Sequence, residues 1–305
     1  MGTQHHTLAP RLLLQHFDSL AGTTDAISKL RDLILHLAAR GKLLSQDPAD
    51  EPALELVKRV VNEGKRIAKE LKLKLPAPEL AMTSQDQAFP LPEGWAWAKL
   101  GDLCIKLGAG STPLGGKRVY QKAGVKFLRS QNVWNDGLHL DDVAFIAPSI
   151  HEDMASTRVQ PGDVLLNITG ASIGRSAVVP DDFDEANVSQ HVAIVRLADK
   201  ELRRFIHLLI VAPDFQSQIM QVQVGVSREG LSMASLKEFV VALPPMLEQR
   251  RIATKVEELL DLCGELELRQ NTVRELEANI LGSLIHHTLN PCYSEAGQTT
   301  ANLRE

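Results

Sequence analysis

The chain has 305 residues, 44% of them hydrophobic and 4% aromatic, with a formal net charge of −5. That is room for one large domain or two modest ones with a real core, and it excludes wholesale disorder. The acidic balance excludes a uniformly basic DNA-coating protein and the few aromatics argue against base stacking as the main binding mode, whereas a local basic face stays open because phosphate binding depends on where charges sit.

Residues 1–24 read as an N-terminal extension, and 25–75 as a helical region. Ile27, Leu30, Ile34 and Leu37 step by three, four and three, which lines up one apolar stripe behind Asp25 as its N-cap. Gly41 and then Asp47-Pro48 interrupt the pattern. A second helix is predicted from Pro52 to near Lys74, with Leu54, Val57, Val61 and Ile67 among its apolar positions. Its Lys and Arg residues belong to a solvated face. Pro76, Pro78 and polar residues 83–87 make 76–88 a linker.

Between 89 and 243 the texture changes to short apolar runs separated by Gly, Pro, Asn and Asp. Strands are predicted over 125–128, 164–168, 177–179 and 192–197, and helices over 201–211 and 214–224, giving one mixed α/β module. Residues 244–289 read as one long helix from about Pro245, which fits the first turn, to His287. Ile252, Val256, Leu259, Cys263 and Leu266 keep a four-three rhythm; Gln270 interrupts it, and Val273, Leu276 and Ile280 resume it. Such a seam needs a partner helix. At ~1.5 Å per residue, about 40 residues reach ~60 Å. Residues 290–305 form a polar tail. The fold class is therefore α+β, with one mixed module flanked by N-terminal helices and a long C-terminal coiled-coil helix.

The most basic stretch of the module holds Lys99, Lys106, Lys117, Arg118, Lys122, Lys126 and Arg129 against a single acid, Asp102. Lys117 and Arg118 follow Gly115-Gly116, where backbone can approach a phosphate closely; a solvated basic loop is the competing reading. Arg129, Ser130, Gln131 and Asn132 follow an apolar strand, and Arg can pair with guanine as Gln or Asn can with adenine. Asn167, Thr169, Ser172 and Arg175 lie in a Gly-rich turn, where turn capping competes with base contact. Asn187, Ser189, Gln190 and His191 precede another strand, and Ser227-Arg228 end a Gly-containing loop. Amide and guanidinium groups gathered at strand ends are what a base-reading surface requires.

Catalytic signatures are missing from the sequence. GSTPLGGK misses a phosphate-binding loop by one residue, with Arg118 where a hydroxyl is needed, and no Gly-rich dinucleotide fingerprint occurs. Leu243-Pro244-Pro245-Met246 lacks the polar residue before and the aromatic after that an adenine methyltransferase shows. Glu63 with Lys65 and Glu70 with Lys72 lie on a predicted helix, and nothing marks them as nuclease sites. Cys104, Cys263 and Cys292 lie far apart, so no zinc knuckle or disulfide framework is indicated and a reduced, cytoplasmic protein is expected. His5-His6 and His286-His287 have no carboxylate or cysteine at ligand spacing, so no metal is expected. No apolar run approaches the roughly 20 residues that span a bilayer, and no signal peptide is read at the start.

Several stretches, in order, resemble the specificity subunits of Type I restriction–modification systems. They are LRDLILHLAARGKLLSQDPADEPALELVKRV over 30–60, LPEGWAWAKLGDL over 91–103, and GSTP with GVKFLRSQNV within 110–133. VQPGDVLLNITGASIGRSAVV over 159–179, NVSQHVAIVRL over 187–197 and LPPMLEQRRIATKVEELLDL over 243–262 complete the set. There are two departures. Such subunits commonly carry two target-recognition domains where this chain has one, and residues after Leu276 match poorly.

The resemblance implies a non-catalytic, DNA-binding specificity subunit of a phage-defence system, with 89–243 as its target-recognition domain and 244–289 as a spacer and dimerisation helix. Its partners would be double-stranded DNA and the methyltransferase subunits that use S-adenosylmethionine on adenine, joined, in systems that have one, by a restriction subunit that uses ATP and Mg. The N-terminal helices, with Ile27, Leu30, Ile34 and Leu37, and the long-helix seam would form an antiparallel spacer, and with one recognition domain two chains would pair through the helices and read an interrupted palindrome. The acidic charge and long seam also fit a different class, a coiled-coil adaptor with a small α/β domain that binds no DNA.

Overall fold

Two amphipathic helices open the fold, α1 (Ala26–Ala39) and α2 (Ala53–Glu70). Asp25 stands at the N-cap of α1, but its side chain makes no capping bond; its carbonyl accepts from Lys29 N at 3.0 Å. The α1 stripe ends at Gly41, whose φ of +63° is left-handed, and Lys42 N returns to Leu37 O at 2.8 Å. On α2 the buried face is Ala53, Leu56, Val57, Val60, Val61, Gly64 and Ala68. Leu54, expected on that face, is exposed, because it follows Ala53 by one position and falls about 100° round the helix. The computed structural model describes residues 25–73, 89–225 and 230–289. The N-terminal extension, the linker at 76–88, Ser227-Arg228, Cys292 and the polar tail lie outside the described residues.

The middle module then runs β1 (Ala96–Lys99), β2 (Cys104–Ala109), β3 (Val125–Leu128), β4 (Val133–Trp134), β5 (Gly137–Leu138), β6 (Ala144–Ile146), α3 (Pro148–Asp153), β7 (Val164–Asn167), β8 (Ser176–Val178), β9 (Ala186–Val188) and β10 (Val192–Leu197). Helices α4 (Arg203–Val211), α5 (Pro213–Gly225) and α6 (Met233–Glu238) follow, then β11 (Val240–Leu243) and the long α7 (Met246–Leu289). Strands β2-β10-β7-β8 form an antiparallel sheet, and β6-β3-β9 a second one in which β3 and β9 are parallel. β1 pairs with β11, Ala96 opposite Leu243, so the module's first and last strands lie side by side.

The four-stranded sheet is covered on both faces. Val164 and Leu166 of β7, with Ala193 and Val195 of β10, face the core shared with the helices. The alternate residues Leu165, Val192 and Ile194 face Leu128 and Val188 of the second sheet. Burial on both faces is why these strands read as continuous apolar runs rather than alternating ones. Phe127, Ala144, Ile146 and Met154 make a third, smaller core beyond the second sheet.

The two N-terminal helices part company. α1 lies along the first part of α7, where Ile252, Val256 and Cys263 are buried with Ile34 and where Arg31 reaches Glu267 at 2.7 Å. Ile27, Leu30 and Leu259 are partly buried against the same core; Leu35, rather than Leu37, completes the α1 stripe. Of the two N-terminal helices expected to form a spacer with the long helix, only α1 lies along it; α2 packs instead on β1, β2 and the turn between them, with Gly64 against Ala198. Past Cys263, α7 leaves the core: Leu266, Val273, Leu276 and Ile280 are all exposed.

One buried carboxylate joins all three segments. Glu248, in the first turn of α7, accepts at Oε1 from Trp95 Nε1 at 3.1 Å and from Gln46 Nε2 at 3.2 Å. Gln46 also donates to Gly41 O at 2.9 Å, and a Cβ on Gly41 would meet the Trp95 ring at 2.7 Å. One turn on, Arg251 pairs with the buried Asp50. Burial pushes the Glu248 carboxyl above the usual carboxylate range, against the hydrogen bonds from Gln46 and Trp95. Glu248→Ala is expected to cost about 1–3 kcal/mol, read as a lower urea midpoint, because it leaves the Trp95 indole N–H buried without an acceptor. Glu248→Gln keeps an acceptor and removes the charge. The cost of ionising a carboxyl with a raised folded pKa is absent below the unfolded pKa and complete above the folded one. The stability difference should therefore shift toward Glu248→Gln as pH rises through that window.

Candidate nucleic-acid interface

The topology brings the polar loops to one rim. β10 runs antiparallel to β2 and β7, so its start lies beside their ends; β3 and β9 are parallel and end together. The loops are tied by backbone bonds: Gly110 N to Val192 O at 2.9 Å, Ser189 N to Leu128 O at 2.9 Å, Ile168 N to His191 O at 3.0 Å and Leu231 N to Ile168 O at 2.8 Å. Gly110 is required here, since a Cβ would stand 2.1 Å from Val188 O.

Residues predicted from sequence divide between the rim's surface and its foundation. Asn132 is fully buried: its Oδ1 accepts from Arg129 N at 3.0 Å, and its Nδ2 donates to His139 O at 2.9 Å and Asp142 Oδ1 at 3.0 Å. Asn187 is equally buried, donating to Met154 O and Thr157 Oγ1, both at 2.9 Å, and facing His151 Nδ1 at 2.6 Å. Asn167 donates to Ser130 O at 2.8 Å and Ser172 Oγ at 3.2 Å, clamping two loops together. These three amides lie below the surface and hold the loops, so base contact expected of them is replaced by a supporting role. Ser189 is buried as well; its Oγ and Asn167 Oδ1 have no hydrogen-bond partner among the described residues.

At the surface, Thr112 donates to Gln190 Oε1 at 2.9 Å, Gln190 Nε2 lies 3.5 Å from His191 Nε2, and Thr169 Oγ1 lies 2.6 Å from His191 Nδ1. Thr112 was not singled out in the sequence, although its GSTP setting was. Donors and acceptors spaced this way can meet the polar edges of bases in a groove. Gln131 is exposed but bonded to Asp142, and Arg129 donates to Asp142 O at 2.6 Å. Arg175 stands over the Trp134 ring, 3.7 Å from its centroid, in the turn after β7.

The basic stretch is likewise partly spent. Lys99 pairs with Glu238 at 2.7 Å, and Lys126 with Asp184. Burial, with Arg196 across the strand pair, pushes the Lys106 ammonium down to about 8. Lys117, Arg118 and Lys122 are exposed and form no ion pair among the described residues. Lys117 and Arg118 sit in a tight turn behind Gly115 and Gly116, both at positive φ, beside the fully exposed Leu114. No group of three His, Cys, Asp or Glu among the described residues is arranged to hold a metal. Cys104 and Cys263 are free, and burial raises both thiols away from the reactive thiolate. No described helix is long and apolar enough to cross a membrane.

Asn132→Ala should cost about 1–3 kcal/mol in urea unfolding, because it removes a buried amide together with its three hydrogen bonds to Arg129 N, His139 O and Asp142 Oδ1. It should also alter Trp134 fluorescence in the folded state, since Asn132 holds the turn that carries Trp134.

Residues 92–276 match the model of the Type I restriction modification DNA specificity domain. The chain is 28% identical over 283 residues to the Type I restriction enzyme EcoAI specificity subunit of Escherichia coli, covering 90% of this chain and 47% of that protein. It is 28% identical over 295 residues to the EcoEI specificity subunit of Escherichia coli, with the same coverage. The chain thus spans about half the length of the curated relatives it matches. A solved chain from a study of complex assembly and conformational transition of the type I R-M system superimposes with a TM-score of 0.52 at 17% identity, over 91% of this chain and 58% of that one. That likeness supports the fold. With the family model matching more than half its length, this chain belongs to the Type I restriction–modification DNA specificity family.

Proposed function

We propose that the chain is a non-catalytic DNA-recognition subunit that reads one half of a split target and directs a Type I adenine methyltransferase to it. The observation that carries this is the rim: loops from both sheets converge there, with Thr112, Thr169, Arg175, Gln190 and His191 displayed and Lys117 and Arg118 unneutralised at its edge. In this reading the displayed groups face bases and the Gly115–Arg118 turn faces phosphate. Residues 89–243 act as the recognition unit and 244–289 as the spacer. Ser227 and Arg228 are taken as part of the same interface. The partner methyltransferase subunits supply S-adenosylmethionine chemistry, and a restriction subunit supplies ATP- and Mg-dependent cutting. Family membership favours this reading over a DNA-free adaptor.

Pairing of two copies is supported by the exposed stripe of Val273, Leu276 and Ile280, which continues the seam that α1 covers only as far as the region of Cys263. An apolar stripe of this kind on a helix in water calls for a partner. Two copies related by a twofold axis would present two rims to one duplex and read an interrupted palindrome. The double variant Leu276→Glu with Ile280→Glu should run as a monomer in sedimentation where the wild type runs as a dimer; a wild-type monomer at all working concentrations would sink the pairing.

The experiment for the whole reading is adenine-methylation mapping of a host genome that expresses a Type I methyltransferase subunit from the same source, with and without this chain. Methylation that needs the chain and falls at one interrupted palindrome is the expected result. A split but asymmetric motif would keep recognition and discard the twofold. No chain-dependent methylation, with both proteins folded and associated, would end it.

A further inference from the structure

On the recognition rim one guanidinium is held differently from the others. Arg175 lies 3.7 Å from the Trp134 ring centroid, and Trp134 also stacks on His139 at 5.3 Å and 14°. The indole is fixed in turn: its Nε1–H donates to Gln131 O at 2.8 Å, and the adjoining Asn135 Oδ1 accepts from Ser176 N, the neighbour of Arg175, at 3.1 Å. The backbone of Arg175 is held from both sides, with its N–H donating to Ser172 O at 3.1 Å and its carbonyl accepting from Asn167 N at 2.8 Å. Among the described residues, no carboxylate or carbonyl engages its guanidinium, whereas Arg129 is bound to Asp142 and Arg196 to Asp163. His139 takes up the nearby Asp136 at 3.1 Å.

We infer that Arg175, stacked on Trp134, is the residue that reads a guanine in the major groove. A guanidinium lying on an aromatic face keeps its N–H donors in its own plane, directed sideways as a fork. The stack restricts the side chain before binding, so less rotamer freedom is lost when the fork is used. Two parallel donors match guanine O6 and N7 and no other base edge in that groove. Phosphate would also accept a fork. However, the exposed, unstacked Lys117 and Arg118 on the outlying turn suit that backbone role, while Arg175 stands at the strand end directly before β8, its carbonyl bonded to Asn167 N at the end of β7. Trp134 and His139 thereby act as positioning residues.

This inference rests on the DNA-recognition reading, and the test separates the two. Methylation motifs are mapped for the complex of the methyltransferase with wild-type chain, Arg175→Lys, Arg175→Ala and Trp134→Ala. Synthetic duplexes carrying the wild-type target, with each guanine replaced in turn by 7-deazaguanine, are then offered to the wild-type complex. The expected result is a motif that relaxes at one G·C pair per half-target in all three variants, losing roughly a fivefold to hundredfold preference there. The other positions should keep their preference. In the wild type, one guanine per half-target should resist 7-deaza substitution, and that sensitivity should vanish in Arg175→Ala. Uniform weakening at every site would make Arg175 a phosphate contact and overturn the inference. So would an unaltered motif, or a target indifferent to 7-deazaguanine at every position, a result that needs no variant to fold. Absence of any chain-dependent methylation by wild type would remove the recognition reading and this inference with it.

Discussion

The whole arrangement hangs on a carboxylate placed where carboxylates are costly. Glu248 is buried in the first turn of α7 and holds Gln46, from the segment after α1, and Trp95, from the threshold of β1, on a single oxygen. A buried charge is tolerated only when its partners are in place. Here the two partners of Oε1 come from stretches of chain separate from α7 and from each other, so that oxygen can be satisfied only once all three stretches have met. Asp50 with Arg251 repeats the arrangement one turn further along. The junction fixes how the helices stand relative to the module, and hence where the rim faces.

Much of the frame was legible because its signals are local and periodic. The predicted strands at 125–128 and 192–197 coincide with β3 and β10, and the long helix was found within two residues at each end. What the pattern could not carry was partnership. β1 and β11 are short and lie far apart in sequence, so their pairing leaves no periodic trace. The docking of α2 on β1 and β2, rather than on α7, joins stretches far apart in sequence, and the periodicity of α2 announces an apolar face but not which element covers it.

The rim was legible as a set of loops but not as a set of roles. Asn132, Gln131 and Arg129 share one sequence run, yet Asn132 is buried, Gln131 is exposed and Arg129 is bonded to Asp142. Composition gives all three the same polarity; only the turn that Asn132 nucleates sorts them. The resemblance points the same way. Several of the phrases that carry it contribute to the frame through Gly41, Gln46, Asp50, Trp95, Glu248 and Arg251. A family likeness of this kind identifies the scaffold far better than the roles of single residues on its rim.

The β1–β11 pair has a mechanical meaning as well. Because Ala96 lies opposite Leu243, the chain enters and leaves the module at one point, and everything between forms a closed circuit hung from the helices. A change of length in a rim loop need not move that point. The helical frame is thereby insulated from alterations at the rim, and the rim is free to be rewritten while the frame is kept.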